Sequence, residues 1–553
     1  MSLRALLRLF ALYALAIGAL ASTFLLAMHL DPARAPSETR IVSVWRDGAR
    51  IDRAVVRGDA RALFRDRCAD ASCTRTVERI VDEGPLPHRP SLLFALSIAA
   101  GRDGIAVKLG DRAIYLTPDD LLAQQASHVG AKIGSLELRI GLDDGDAVLD
   151  RVAGELQVNR AALSSARFSR FIVTREDDDA GLWPLRAART EALDGAMLER
   201  GVRSAADYLV RNQTVDGHFD YEIDTVRGVS LPGYDWPRHG GALLMLSQVA
   251  NRTGDRNYHA SAYRAARLVQ RRLTVDCGDY RCIGEGARVD AGAAALTLLA
   301  YVELVRGGMH VFDADVRALS SFLRSLQRQD GEFMHVYDRV QRRPLDIQLP
   351  YYTGETALAL ARAYRITHDP ADLHAASAGL AHLVRRSVFQ NRYQYGTEHW
   401  TCQALEALWE FAPDRDALAF CLDYQAFNRQ FQVGPHSEFG DYEGGFAPNP
   451  FSPPRITPTG SRSEGAVATL ATALASGRSS AELQPLITQV RRALAFLMRF
   501  QLNPGPRHLL RDPARVQGGM PGSPTDLSVR IDFQQHVAGA ALRYLRLLEA
   551  HKL

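Results

Sequence analysis

Lysine is almost absent from this sequence of 553 residues. Of the 66 Lys and Arg residues, only Lys108, Lys132 and Lys552 are lysines, so the other 63 are arginines. The arginines are scattered along the chain and are balanced by 63 acidic residues, which leaves a formal net charge of +3. Nucleic-acid-binding proteins concentrate their basic residues on one face. The pattern therefore indicates biased codon usage, as in a GC-rich genome, and no nucleic-acid partner.

Motifs of cofactor, metal and serine chemistry are also missing. The chain has no Gly-x-Gly-x-x-Gly or phosphate-binding loop, no His-Glu-x-x-His, and no Gly-x-Ser-x-Gly around a nucleophilic serine. The acidic run Asp177 to Asp179 lies in a polar linker, where it reads as a solvated segment and not as a magnesium-binding motif. We therefore predict no cofactor and no metal site.

One long hydrophobic run stands near the amino terminus. Leu9 to Met28 carries no charged residue and has about the length that crosses ~30 Å of hydrocarbon. Arg4 and Arg8 precede it, so the positive-inside rule places the amino terminus in the cytoplasm. A cleaved signal peptide is the alternative, since Ala19-Leu20-Ala21 has the small-x-small form, but the run continues past it. We predict a transmembrane anchor at residues 1–30, a tether at 31–40, and a single-pass inner-membrane protein with its body in the periplasm.

The six cysteines fall into pairs that are close in sequence. The pairs are Cys68 with Cys73, Cys277 with Cys282, and Cys402 with Cys421. In an oxidising compartment such pairs form disulfides. A zinc site is the alternative for the Cys-x4-Cys pair at Cys277, but no second ligand pair stands at metal-binding spacing. We predict three disulfides.

Residues 41–176 are predicted to form a small α/β domain. Its strands are IVSVW before the Asp47-Gly48 turn, SLLFALSIA, GIAVKLG, AIYLT and SLELRIGL, with helices at 118–125 and 148–156 capped by Thr117 and Asp146. The stretches GRDGIAVKLGDRAIYLTPDDLL and VAGELQVNRAAL resemble the AMMECR1-like domain. That resemblance implies a fold, and we assign this domain no activity.

Residues 186–553 consist of two alternating kinds of helix. One kind is rich in Ala, Gly and Leu on all sides, as in WPRHGGALLMLSQVA and YYTGETALALARAYRI. The other kind keeps a charged face, as in HASAYRAARLVQRRL. A helix that is apolar all round belongs inside and one with a polar face belongs outside. Six of each predict an (α/α)6 toroid, so the whole protein is mainly α.

A short turn repeats between these helices. It reads acid or amide, Gly, any residue, apolar, and it occurs at 216–219, 330–333, 443–446 and 517–520. Glycine supplies the left-handed turn after a helix, and the apolar residue packs back onto the core. This structural explanation is complete, so we predict no catalytic role for the repeat.

The helical part resembles the six-hairpin glycosidase class. The resemblance rests on the double row of helices, the Asp-Gly-x-Phe turns and the phrase GETALALARAYRITHDPADLHAA. The class includes glycoside hydrolases, unsaturated-uronide hydrolases and sugar epimerases, so the resemblance implies a carbohydrate ligand. Terpenoid and lanthionine cyclases share the architecture, so the fold alone leaves the activity open.

The first residues of the inner helices are the candidate site, because a toroid brings these ends together around a central pit. Glycoside hydrolysis needs two carboxyl groups across the bond, whereas epimerases and lyases need a His, Tyr or carboxylate base. The predicted catalytic residues are Asp290, Glu355, His399 and His239. The predicted substrate-binding residues are Trp236, Tyr351, Tyr352, Trp400, Arg288, Arg462 and Glu464, and Asp235, Glu398, Asp532 and His536 share their position.

A structural explanation competes for the acidic residues. Aspartate before a helix is the preferred N-cap, and glutamate in the first turn complements the helix dipole. Asp290, Glu355 and Glu464 are open to both explanations, whereas His239 and His399 have no capping role. We predict a hydrolase, lyase or epimerase acting on a cell-surface polysaccharide or oligosaccharide. The alternative is a non-catalytic toroid that binds glycan or protein, and the oligomeric state stays open.

Overall fold

The computed structural model divides the chain into two compact units, Met1–Ala188 and Arg189–Leu553. The structure describes residues 38–46, 49–58, 73–89, 91–99, 101–123, 129–133, 136–140, 145–178, 193–385, 399–435, 440–447, 453–503 and 507–552. In those ranges no helix is long and apolar enough to cross a bilayer. The predicted anchor at 1–30 lies outside them, and so does most of the predicted tether, whose last two residues begin the first strand.

The first unit is built on a six-stranded antiparallel sheet in the order β2-β1-β3-β8-β4-β5. Its strands are β1 Thr39–Arg46, β2 Ala49–Arg57, β3 Cys73–Pro85, β4 Asp103–Leu109, β5 Arg112–Leu116 and β8 Arg167–Asp178, with a separate hairpin of β6 Val129–Ile133 and β7 Leu136–Ile140. Its helices are α1 Ser91–Leu96, α2 Pro118–Leu122 and α3 Gly145–Leu156. Phe94, Val107 and Val152 are among the side chains that fill the core.

Three local predictions for this unit were wrong. The acidic run at 177–179 was expected to lie in a polar linker, but strand β8 extends to Asp178. SLLFALSIA was expected to be a strand, but Ser91–Leu96 is helical; a short apolar run without alternation does not distinguish the two structures. Asp146 was expected to cap a helix, but that helix already begins at Gly145. Thr117 does cap α2, because it accepts a hydrogen bond from the Asp120 backbone in a capping box.

In its described residues, the second unit alternates six inner with six outer helices. The inner helices are α5 Trp236–Thr253, α7 Ala291–Arg306, α9 Tyr352–Thr367, α11 His399–Leu408, α13 Ile456–Ala475 and α16 Ile531–Glu549. The outer helices are α4 Gly195–Arg211, α6 Arg256–Arg272, α8 Asp313–Ser325, α10 Pro370–Arg385, α12 Arg415–Arg429 and α14 Gln484–Arg499. A further short helix, α15, covers Pro513–Val516.

The inner helices form a closed ring. Each packs against the next in chain order, and α16 packs against α5. Glycines allow the close approach: a Cβ added to Gly240 would lie 3.2 Å from the backbone of Leu296, and one added to Gly460 would lie 3.1 Å from that of His536. The predicted (α/α)6 toroid of the six-hairpin type is confirmed.

Short strands lead into the inner helices at one mouth of the ring. β9 Glu222–Asp224, β10 Val229–Ser230, β16 Pro521–Ser523 and β17 Asp526–Arg530 form one sheet; β13 Arg288–Asp290, β14 Val336–Asp338 and β15 Arg343–Leu345 form another; β11 Thr274–Cys277 and β12 Tyr280–Ile283 form a hairpin. β13 ends directly before α7, and β17 ends directly before α16. The amino-terminal ends of the inner helices therefore meet at this mouth, which we call the pit.

The repeated glycine turn follows an outer helix at four places in the described chain and packs against another outer helix. Gly217, Gly331, Gly444 and Gly518 have φ between 82° and 106°. A Cβ on any of them would lie 2.0–2.4 Å from a backbone carbonyl oxygen of an outer helix. A glutamine before each turn makes the same pair of bonds: Gln327 Nε2, for example, donates to Gly331 O at 3.2 Å and to Ala375 O at 2.8 Å. The structural role predicted for the repeat is confirmed.

Two of the three predicted disulfides are present. Cys277 and Cys282 close the β11-β12 hairpin, with Cα atoms 5.9 Å apart. Cys402 and Cys421 join inner helix α11 to outer helix α12, with Cα atoms 5.8 Å apart. Cys68 lies outside the described residues.

Candidate functional site

Two of the acids at the pit are helix caps. Asp235 Oδ1 accepts the Arg238 backbone N–H at 3.0 Å, and Asp290 Oδ1 accepts that of Ala293 at 2.8 Å. Both residues have extended backbone, as an N-cap requires. The structural explanation therefore accounts for one oxygen of Asp290 and leaves its second oxygen for other contacts.

Glu355 is the acid that capping does not explain. It lies in the first turn of α9, only 5% of its surface is exposed, and its Oε2 is buried with no hydrogen-bond partner in the part of the chain that the structure describes. Burial raises its pKa well above the usual value, and the nearby carboxyl groups of Asp290 and Asp235 raise it further. Burial and these two carboxyl groups therefore favour the protonated, neutral form of Glu355.

Asp290 and Tyr352 stand beside this carboxyl. Burial raises the pKa of Asp290, and the Asp235 charge adds to that, although the Ala293 N–H and Tyr352 act in the opposite direction. The Tyr352 ring packs against Gly292, where an added Cβ would lie 2.2 Å from the ring. We call Asp290, Tyr352 and Glu355 the acid corner.

An arginine-carboxylate network joins the first and last inner helices. Asp532 accepts from Arg530 Nε at 2.7 Å and from Arg238 Nε at 3.3 Å, and Arg238 also lies 3.1 Å from Asp235 Oδ2. Burial would raise the pKa of Asp532, but Arg530 and Arg238 outweigh it and hold the pKa below its usual value. These charges satisfy one another and fix the edge of the pit.

A pair of histidines lies next to this network, because His536 follows Asp532 by one turn of α16. His399 on α11 and His536 on α16 have ring centroids 5.4 Å apart. Glu464 Oε2 contacts His536 Nδ1 at 2.7 Å, and Arg543 Nη1 lies 3.6 Å from Glu464 Oε1. The carboxylate therefore orients the His536 ring and leaves Nε2 as its remaining polar atom. We call His399, Glu464 and His536 the histidine cluster.

His399 is buried yet makes no hydrogen bond through either ring nitrogen to any described residue. It is 5% exposed. Burial lowers its pKa well below the usual value, and the neighbouring His536, Arg462 and Arg543 lower it further. Its imidazole is therefore neutral at pH 7 and is able to accept a proton.

His239, predicted to be catalytic, has a different setting. The Tyr234 hydroxyl lies 2.8 Å from its Nδ1, and its Nε2 lies 3.3 Å from Ala265 O. Burial lowers its pKa to about 4. Both ring nitrogens have hydrogen-bond partners and the ring is completely buried. His239 therefore stabilises the contact between α5 and α6.

The predicted aromatic residues divide between the wall of the pit and the packing behind it. Tyr351 is 42% exposed and lies beside His399, with ring centroids 6.1 Å apart. Trp400 is buried beneath the histidines, 4.7 Å from the His399 ring. Trp236 packs against Tyr234 and under the Arg272 guanidinium, 5.8 Å away. Tyr351 is therefore the ring best placed to meet a ligand.

The two predicted arginines do not face each other across the pit. Arg288 is exposed and lies 3.7 Å from Asp338. Arg462 is buried, donates to Pro458 O at 2.9 Å and lies over the Phe446 ring. Helix α13 begins at Ile456, so Arg462 and Glu464 stand in its second and third turns and not at its start. Glu398 lies outside the described residues.

Arg238, Arg530 and Arg543 are pit residues that the sequence interpretation missed. Arg543 follows His536 by seven residues, which places both on the same face of α16. That spacing was a usable signal. No sequence signal marked Arg238 and Arg530, because arginine is so frequent in this chain.

The histidine cluster also has the composition of a metal site. Its ligand atoms lie within 4.8 Å of one another, and two histidines with a carboxylate bind divalent metals. However, Glu464 already contacts His536 Nδ1 and forms an ion pair with Arg543. Arg462 adds a second positive charge close to His399. This environment disfavours a cation and fits a hydrogen-bonded acid-base group.

The fold and the pit define the class of architecture: an (α/α)6 toroid of the six-hairpin type whose inner helices gather acids and histidines at one mouth. No protein-family model matches the chain, and no curated protein matches it.

Solved structures with a similar fold include a D-mannose isomerase, 12% identical, which covers 64% of this chain and 98% of its own at a TM-score of 0.49. A cellobiose 2-epimerase from Bacillus thermoamylovorans is 10% identical with the same coverage and TM-score. An unsaturated glucuronyl hydrolase specific for heparin is 12% identical, with coverage of 64% and 99% and a TM-score of 0.45. At these values the likeness carries no argument about activity.

Proposed function

We propose that the chain is a carbohydrate-active enzyme, anchored in the inner membrane with its body in the periplasm, that moves a proton on a saccharide. The reaction class is that of an epimerase, isomerase or lyase, and His399 and His536 are its acid-base pair. The observation that carries the proposal is this pair: one neutral histidine without a hydrogen-bond partner among the described residues, facing another that a carboxylate orients.

The pair suits a reaction that removes a proton from carbon and returns one. A base must be neutral to accept the proton, and burial holds His399 in that form. His536, oriented by Glu464, supplies or accepts the second proton, so an epimerisation balances with no oxidant. In a lyase reaction the same second proton goes to the leaving oxygen. Glu464 acts through His536 and is a positioning residue.

The wall beside the pair supports a saccharide as the ligand. Tyr351 presents a partly exposed ring next to His399, and aromatic faces stack on the apolar faces of sugar rings. Tyr351 also has φ = 79°, although it is not glycine. Such a conformation is costly and clusters at functional sites.

Glycoside hydrolysis has weaker support. It requires two carboxyl groups on either side of the scissile bond. Asp290 uses one oxygen as an N-cap, Asp235 is paired with Arg238, and Glu464 is paired with His536. Glu355 and the second oxygen of Asp290 then remain without a paired charge among the described pit residues, and they lie beside each other.

The test is exchange of carbon-bound hydrogen with solvent. Full-length protein in detergent is incubated in D2O with a panel of neutral, acidic and amino saccharides, and deuterium incorporation is measured by NMR. We expect incorporation with at least one saccharide, and a loss of ~10²–10⁴-fold in His399→Gln and His536→Gln. His310→Gln is the matched control, because His310 is exposed and lies between α7 and α8, away from the pit.

Three outcomes would reject the proposal. Absence of turnover and exchange with every saccharide would favour a binding scaffold. Unchanged exchange in both histidine variants, with normal folding by circular dichroism, would remove the acid-base assignment. Stoichiometric metal that is lost in His536→Gln would replace it with a metal site.

A further inference from the structure

The carboxyl groups of the pit differ in whether they have an ion-pair partner. Around its mouth Asp532 is paired with Arg530 and Arg238, Asp235 with Arg238, and Glu464 with His536 and Arg543. The acid corner differs, because neither Asp290 nor Glu355 has an ion-pair partner in the part of the chain that the structure describes. The charged groups that act on Glu355 are Asp290 and Asp235, both of them carboxyls.

The second observation is the buried oxygen of Glu355. Oε2 is shielded from solvent and no described donor reaches it. A buried acceptor without a donor is costly, and such groups in native proteins call for an explanation. Helix capping does not supply one, because the residue before α9 is Tyr351 and no described side chain caps that helix. A donor on a ligand would satisfy this oxygen.

Aromatic rings flank the two carboxyls. Tyr352 is held against Gly292 at one side, and Tyr351, whose ring is partly exposed, directly precedes Tyr352 in sequence. Cations bind favourably over aromatic faces, and carboxylates form their strongest hydrogen bonds with charged donors. Carboxyls without a counter-charge together with aromatic rings favour an organic cation.

We propose that the acid corner is a subsite for the ammonium group of an amino sugar, so that the substrate class is a saccharide with free, non-acetylated amines. Asp290 and Glu355 accept hydrogen bonds from the ammonium N–H groups. The ring of Tyr351 or Tyr352 covers the apolar face of the amino sugar. This inference rests on the proposed function only in taking a saccharide as the ligand.

A metal ion fits the acid corner less well than an amine. A metal ion requires several ligand atoms that converge at one point. Among the described residues, the group that converges in that way is the histidine cluster and not the acid corner. An ammonium group carries three donors and needs no convergent cage.

Binding should release a proton. Burial and the neighbouring carboxyl groups favour the protonated form of Glu355. An ammonium group beside it favours the ionised carboxylate, so Glu355 gives up its proton as the amine enters. An N-acetylated or neutral sugar has no such effect. Proton release therefore reports on the acid corner independently of catalysis.

The experiment is calorimetry on the full-length protein with three ligands of equal length: glucosamine oligomers, N-acetylglucosamine oligomers and cello-oligosaccharides. Titrations in buffers of different ionisation enthalpy give both the affinity and the number of protons released. We expect the glucosamine oligomer to bind at least tenfold more tightly, with proton release. Both effects should disappear in Glu355→Gln and persist in Glu410→Gln, whose exposed carboxyl pairs with Arg365 at the opposite end of the ring.

Equal affinity for all three ligands, or an unchanged preference in folded Glu355→Gln, would overturn the inference. So would competition by millimolar Ca2+ or Mg2+ that Glu355→Gln abolishes, since the occupant would then be a metal ion. His536→Gln separates this inference from the proposed function. This variant should lose deuterium exchange while keeping the preference for the amine. The proposed function and the amine subsite can therefore be rejected independently of each other.

Discussion

Replacing Gly331 by alanine should destabilise the toroid in two separable ways. Gly331 has φ = 92°, which costs a residue with a Cβ about 1–2 kcal/mol. The new Cβ would also lie 2.4 Å from Ala378 O on α10. Moving a backbone carbonyl out of the way costs about 1–3 kcal/mol more, as other overpacking substitutions do. Gly331→Ala should therefore cost about 2–5 kcal/mol.

Gly308 is the matched control for this prediction. Its φ is 91°, and an added Cβ would meet no atom within 4 Å. Gly308→Ala should carry only the backbone cost of about 1–2 kcal/mol. The assay is thermal and urea unfolding of both variants by far-ultraviolet circular dichroism, and Gly331→Ala should lose roughly twice as much. Equal losses would show that the turn does not pack against the outer helix.

Three further predictions follow from the same structure. His239 has a folded pKa of about 4 against 6.5 when unfolded, so its contribution is present above pH 6.5 and is lost as pH falls to 4. That loss is about 3 kcal/mol, and the acid slope of the unfolding free energy should flatten in His239→Gln; an unchanged slope would contradict it. Cys277 and Cys282 should react with maleimide only after reduction, and labelling without reductant would argue against their bond. The protein should stay in membranes through carbonate washing because of residues 9–28, whereas release at full length would refute the anchor.

The ring architecture could be predicted from sequence because composition alone separates inner from outer helices. An inner helix such as α7 is buried along almost its whole length, and only small and apolar residues fit there. An outer helix such as α6 carries its arginines on one face. The repeated glycine turn gave a second signal, since a left-handed residue against a neighbouring carbonyl admits glycine alone.

Local boundaries were harder to predict where one signal has two causes. SLLFALSIA suits a buried strand and a buried helix equally. Helix α13 begins at Ile456 and includes Pro458 in its first turn, where a proline is tolerated. The sequence interpretation placed Arg462 and Glu464 among the first residues of this helix, whereas they lie in its second and third turns. The short strands that lead into the pit pair with partners far apart in sequence, and no local pattern indicates them.

Position in the sequence does not by itself distinguish structural residues from candidate functional residues in the pit. Asp290 and Glu355 both stand at the start of an inner helix, yet one caps its helix and the other is buried without a partner. His239 and His399 both lack a capping role, yet the first is engaged through both nitrogens and the second through neither, within the described chain. The difference comes from residues on other helices: Ala265 for His239, and His536 with its carboxylate for His399. Spacing along the chain finds the residues that meet at the pit, whereas their protonation and hydrogen bonding depend on neighbours that only the closed ring brings together.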